Sequence, residues 1–167
     1  MKRTPACVLA LALVTFGCKV QEDAPSSAAP TASAQPPAPV DHVLVAHPPP
    51  DGEVATIVRG ELTKAQPAGR RLVVYEGATW CEPCQRFHRA VERGELDATF
   101  PGLTILEFDS DHDSERLATA GYAPRYLPMF ALPAPDGTAS GQQVEGGVKG
   151  EGAVSVVSGK LRQLLSR

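Results

Sequence analysis

Leu72-Val73-Val74-Tyr75-Glu76-Gly77-Ala78-Thr79-Trp80-Cys81-Glu82-Pro83-Cys84 is the stretch on which the reading of this 167-residue chain turns. Its first four residues are apolar and β-branched or aromatic, which reads as a short buried strand. Gly77-Ala78-Thr79 breaks the strand. Beyond the cysteines, Phe87, Ala90 and Val91 recur at helical spacing and mark the inner face of a helix. Cys81 and Cys84 therefore stand at a strand-to-helix junction, in the first helical turn. Pro83 suits that turn, because its missing N–H has no helical partner there and its ring stiffens the loop.

The chain has four cysteines, and two of them, Cys7 and Cys18, lie in the first eighteen residues. Cys81 and Cys84 close only a tiny loop, so a bond between them restricts the unfolded chain little. Chemistry explains the pair better than stapling. One chemistry is thiol–disulfide exchange. The other is half of a zinc site, with His88 four residues beyond Cys84; zinc takes about four ligands, and no second cysteine pair exists outside the leader. Attachment of haem would need a histidine directly after Cys84, where Gln85 stands.

Outward from this centre, 43–45 reads as a short edge strand ended by Pro48-Pro49-Pro50. Asp51 suits a helix N-cap, with Val54, Ile57, Val58 and Leu62 at helical spacing behind it. The run 103–108 is the next buried strand, and Ser114 can cap a short helix over 115–120 that Gly121 ends. The runs 129–132 and 142–144 flank Pro135-Asp136-Gly137 as a hairpin. Val154, Val157, Leu161, Leu164 and Leu165 form the stripe of a closing helix. The expected order is β-α-β-α-β-α-β-β-α in one domain over 42–167.

With Trp80-Cys81-Glu82-Pro83-Cys84 at a strand-to-helix junction, and Leu127-Pro128 just before the hairpin, this order resembles the thioredoxin superfamily from about Val43 to Leu165. The resemblance implies an α/β fold, a three-layer sandwich with a central mixed sheet flanked by helices. It implies a protein thiol–disulfide oxidoreductase whose one redox group is its own disulfide, with no further cofactor and no metal. The partners implied are protein thiols and disulfides. Pro128 would be the cis-proline facing the cysteines, and Leu127, where thioredoxins usually have threonine, would offer backbone groups to an extended substrate segment.

Within that frame Cys81 is the attacking nucleophile, because a helix N-terminus lowers a thiol pKa from about 8.5 to between about 3.5 and 7.5. Cys84 is the resolving thiol. Glu82 beside Cys81 opposes its ionisation and leans the pair toward reducing behaviour. Trp80 either shields the site and meets substrates or simply packs. The family's buried aspartate, six residues before the first cysteine, is Tyr75 here. Glu76 is next to it, but strand alternation turns it to the opposite face. Water, Tyr75 or another group must then manage the Cys84 proton.

The N-terminal part reads differently. Lys2 and Arg3 precede an almost wholly apolar run over 6–16, about 16 Å long as a helix. That is too short to cross a bilayer and suits a signal peptide over 1–17. Gly17-Cys18 resembles the lipobox of bacterial lipoproteins, which makes Cys18 the expected lipidation site, although Thr15 and Phe16 depart from the usual pattern. Only Ala, Pro, Ser, Thr and Gln occupy 24–39, so 18–41 reads as a disordered linker. The expected place is the cell envelope, facing the periplasm, anchored to a membrane through Cys18 and served by a membrane or periplasmic redox partner.

Basic side chains number 16 against 19 acidic ones, with no basic stripe, which argues against nucleic acid as a partner. The acidic run Asp109-Ser110-Asp111-His112-Asp113 begins like a calcium loop, but Ser114 and Ala120 stand where that loop needs Gly and Glu. It reads instead as a capped strand-to-helix connection. A reading of another class remains beside the enzyme: a non-catalytic or metal-delivery binding module on the same fold.

Overall fold

Residues 41–167 are described by the structure, a computed structural model. The leader, Cys18 and all but the last residue of the linker lie outside the described residues. Along the rest run β1 (Leu44–Ala46), α1 (Val54–Ala65), β2 (Arg71–Gly77), α2 (Glu82–Glu92), β3 (Leu103–Asp109), α3 (Ser110–Thr119), β4 (Met129–Pro133), β5 (Ala139–Glu145) and α4 (Ala153–Leu165). The order matches the one read from the sequence.

The strands form one sheet in the order β1-β3-β2-β4-β5. β2 pairs in parallel with β3 and antiparallel with β4, which makes the sheet mixed. β2 is central, and every residue from Leu72 to Gly77 is buried. This is why it reads as a continuous apolar run rather than an alternating one. Val73 and Tyr75 face a core shared with Phe87, Ala90 and Val91 of α2 and Val157, Leu161 and Leu164 of α4. Leu72 and Val74 face a second core with Val54 and Val58 of α1 and Leu117 of α3. Two apolar cores on opposite faces of one sheet make the expected three-layer sandwich.

Three local expectations are corrected. α3 begins at Ser110, not after Ser114, and its N-cap is Asp109, the last residue of β3. The Asp109 carboxylate accepts from the Asp111 N–H, and the Asp113 carboxylate accepts in return from the Asp109 N–H, both at 2.9 Å. Strand thus passes into helix without a loop. Ahead of α1 the capping position is Glu53 rather than Asp51, with no side-chain hydrogen bond to the helix backbone. At the sheet margin, β5 runs over Ala139–Glu145, longer than the 142–144 its sequence suggests, because an edge strand needs no apolar pattern to pair.

Candidate active site

The β2–α2 junction places the cysteines. β2 ends at Gly77, three residues span to Cys81, and Cys81 is the N-cap of α2 in extended conformation. Glu82 and Pro83 fill the first two helical positions. Cys81 and Cys84 are joined by a disulfide, their Cα atoms 5.2 Å apart, and the Cys84 N–H donates to the Cys81 sulfur at 3.3 Å. Once the bond is reduced, the same N–H and the helix N-terminus favour a thiolate on Cys81.

The Leu127–Pro128 peptide is cis. Met129 pairs with Glu76 across the β2–β4 ladder, which brings Pro128 to the end of β2 where the cysteine loop leaves the sheet. The Glu145 carboxylate holds the segment before Leu127, accepting from the Arg125 N–H at 2.7 Å. Tyr126 in that segment is exposed, as is Val148 in the loop before α4. Neither was singled out from sequence, since an exposed aromatic in a loop has no periodicity to reveal it.

Trp80 is 66% exposed, which removes the packing alternative. Its indole N–H donates to both carboxylate oxygens of Asp111 at 3.0 and 3.1 Å, tying the ring to the first turn of α3. Glu82 accepts from the Gly150 N–H at 3.1 Å and pairs with Arg86 one turn along α2. The Arg86 hydrogen bond, aided by the Gly150 N–H and opposed by partial desolvation, holds the Glu82 carboxyl below its ordinary range. Glu82 is therefore a charge already matched by a cation. Its expected pull against Cys81 ionisation is offset, and its visible work is to tie the 146–150 loop to the cysteine turn. Gly147 completes that tie, because a Cβ there would come within 2.9 Å of the Pro83 ring.

Tyr75 is buried against Phe87 and Phe130, with ring centroids 6.3 and 5.0 Å away. Its hydroxyl lies over Gly77, where an added Cβ would stand 2.4 Å from it. Gly77 is therefore glycine because the phenol occupies its side-chain space. Burial first, and the Glu107 charge second, push the phenol well above its usual range, so it stays neutral. Tyr75, Cys84, His88 and Glu107 all border a solvent-open cavity of about 800 Å³ lined by α2, the end of β3, α3 and the Pro48–Pro50 region. His88 is the third donor that a partial zinc site with the two cysteines would use. Its ring instead meets Glu107 through Nε2 at 2.9 Å and Glu92 through Nδ1 at 3.2 Å. Among the described residues no group of three or more His, Cys, Asp or Glu side chains is arranged to hold a metal ion. Nor is any described helix long and apolar enough to cross a membrane.

Glu76 faces away from this cavity, as alternation requires, and is buried with its Oε2 lacking a hydrogen-bond partner. Burial raises its carboxyl above the ordinary range; Asp113 adds to the rise and a Ser110 hydrogen bond opposes it. A raised carboxyl stabilises the fold fully below its unfolded pKa and loses that contribution as pH rises through the folded one. Urea midpoints measured from pH 4 to pH 8 should therefore show Glu76→Gln gaining on the native protein as pH increases. A constant difference across that range would mean that Glu76 carries no burial penalty.

No protein-family model matches the chain, and no curated protein matches it in sequence. Solved structures similar to it include the N21Q mutant thioredoxin from Halobacterium salinarum NRC-1, 20% identical over 77% of this chain and 92% of that one, with a TM-score of 0.45. Thioredoxin O1 from Arabidopsis thaliana in the oxidized state is 20% identical over 75% and 96%, with a TM-score of 0.44. Trichomonas vaginalis thioredoxin is 18% identical over 75% and 97%, with a TM-score of 0.46.

Proposed function

We propose that this protein is an exported, membrane-anchored thiol–disulfide oxidoreductase that cycles Cys81–Cys84 between dithiol and disulfide and works as a reductase of protein disulfides. The observation that carries the reading is the Cys81–Cys84 disulfide at the N-terminus of α2, at the same end of β2 as the cis Leu127–Pro128 bond. A redox bond at a helix N-terminus releases a stabilised thiolate when it opens. The cis-proline segment leaves the Leu127 backbone as the edge on which an extended substrate would add. Export and anchoring rest on the apolar run over 6–16 and on Gly17-Cys18, with Cys18 as the lipid-bearing residue. A dithiol facing the periplasm needs electrons from a membrane or periplasmic partner.

The deciding measurement is the reduction potential of the pair in the purified protein. The expected value is near the roughly −270 mV of thioredoxin. A value near the roughly −120 mV of strong periplasmic oxidases would reverse the direction and make the protein a disulfide donor. If the pair did not cycle at all, the binding-module reading would replace the enzyme.

A further inference from the structure

Resolution of a mixed disulfide requires Cys84 as a thiolate. Cys84 is 3% exposed, and burial opposes the anion. The carboxylate that the family resemblance leads one to seek at position 75 is a phenol. We propose that Glu107 and His88 together accept the Cys84 proton across the cavity they share with it. This rests on the thiol–disulfide reading above.

The geometry converges from three elements. Glu107 is the register partner of Tyr75 on the adjacent parallel strand, so both side chains leave the sheet on the α2 face. His88 is one turn beyond Cys84 on α2, and helical side chains lean toward the N-terminus, which carries its ring back over the Cys84 turn. The ring then bridges two carboxylates, and they differ in setting. The Glu92 side chain is 60% exposed, whereas that of Glu107 is 21% exposed and belongs to the cavity wall. Tyr75 stays neutral, so it does not hold the charge itself.

Other charges that face Glu107 are engaged elsewhere or open to water. From the segment after β1, the exposed His47 approaches its Oε2 no closer than 3.9 Å. Arg89 borders the cavity from α2. From α3, Asp113 is held by Arg116 at 2.7 Å and by the Asp109 N–H, Asp109 caps the helix, and His112 is solvated beside it. Glu107 paired with His88 is the remaining half-buried base on the wall of the cavity that Cys84 borders.

The step balances as follows. Cys81 holds a substrate sulfur in a mixed disulfide. The Cys84 S–H bond breaks, and its proton crosses by cavity water to the Glu107–His88 pair. The Cys84 sulfur attacks the Cys81 sulfur, forming the Cys81–Cys84 bond, while the Cys81–substrate bond breaks and the substrate leaves as a thiolate with the electron pair. The substrate disulfide gains two electrons and the protein dithiol loses them. Dithiothreitol supplies the dithiol beforehand and is removed before the aromatic disulfide is added, since it would reduce that disulfide itself.

The test uses the reduced full chain and an aromatic disulfide whose released thiolate is coloured. The first release reports attack by Cys81, and the second reports resolution by Cys84. Glu107→Gln should slow the second release about a hundredfold at pH 7, the low end of what positioned proton transfer contributes. The gap should narrow as pH rises and hydroxide takes over. His88→Gln should slow it less and shift the same profile, and it supplies an independent reading if Glu107→Gln does not fold. Profiles that superimpose on the native one, or fall by one factor at every pH, overturn the inference. A native protein showing no first release would instead remove the oxidoreductase reading on which it stands.

Discussion

Replacing Cys84 by serine should leave the protein covalently joined to its disulfide substrate. Cys81, at the N-cap of α2, still has the helix N-terminus to stabilise its thiolate and still attacks. The mixed disulfide then has no neighbouring thiol to open it, since serine is no nucleophile toward sulfur at neutral pH. Turnover should fall to the uncatalysed background, and a band should appear on non-reducing gels that dithiothreitol removes. Cys81→Ser should lose turnover equally but trap nothing, because the remaining thiol lies within the first turn of α2 rather than at its N-cap and borders the cavity. The reverse pattern, with trapping by Cys81→Ser alone, would exchange the two roles.

The largest loss of stability is expected from Phe130→Ala. Phe130 is buried on β4 and meets two aromatic rings, Tyr75 at 5.0 Å and Phe87 edge-on at 5.1 Å. Truncating such a ring removes its burial and leaves a cavity, a cost of about 3–5 kcal/mol. Domains of this kind have only about 5–15 kcal/mol to lose. The urea midpoint should therefore drop by a large fraction, while Val148→Ala, at an exposed loop position, should shift stability by no more than about 0.5 kcal/mol. The damage should also reach the chemistry, because Tyr75 and Phe87 tie the sheet to the helix that carries both cysteines. A cost for Phe130→Ala below about 1 kcal/mol would mean that this aromatic group adds little to the core between sheet and α2.

What the sequence made legible was whatever depends on neighbours along the chain. The apolar run of β2, the glycine break and the spacing of Phe87, Ala90 and Val91 all report local geometry, and they located Cys81 and Cys84 on the right elements. The stripe of α4 was readable for the same reason. The start of α3 was not, because Asp109 and Ser114 are equally good caps; the choice fell to Asp109 once the last residue of β3 turned straight into the helix. Glu82 shows the boundary. Its partner Arg86 is one helical turn away and was open to a sequence reading, but the Gly150 N–H is 68 residues distant and was not. Likewise a single carboxylate in the apolar run 103–108 was a signal available at Glu107. Its pairing with His88, 19 positions away, exists only once α2 lies over β3.

Gly77 constrains the history of this site as well as its shape. The Tyr75 hydroxyl fills the space that any side chain at position 77 would need. A lineage changing the two positions one at a time has a single open route: residue 75 must shrink first, and only then can residue 77 grow. From a side chain at 77 and a smaller residue at 75, the path to this protein runs the opposite way, through loss of the side chain before arrival of the phenol. Tyr75 and Gly77 are thus one coupled pair, open to substitution only in a fixed order.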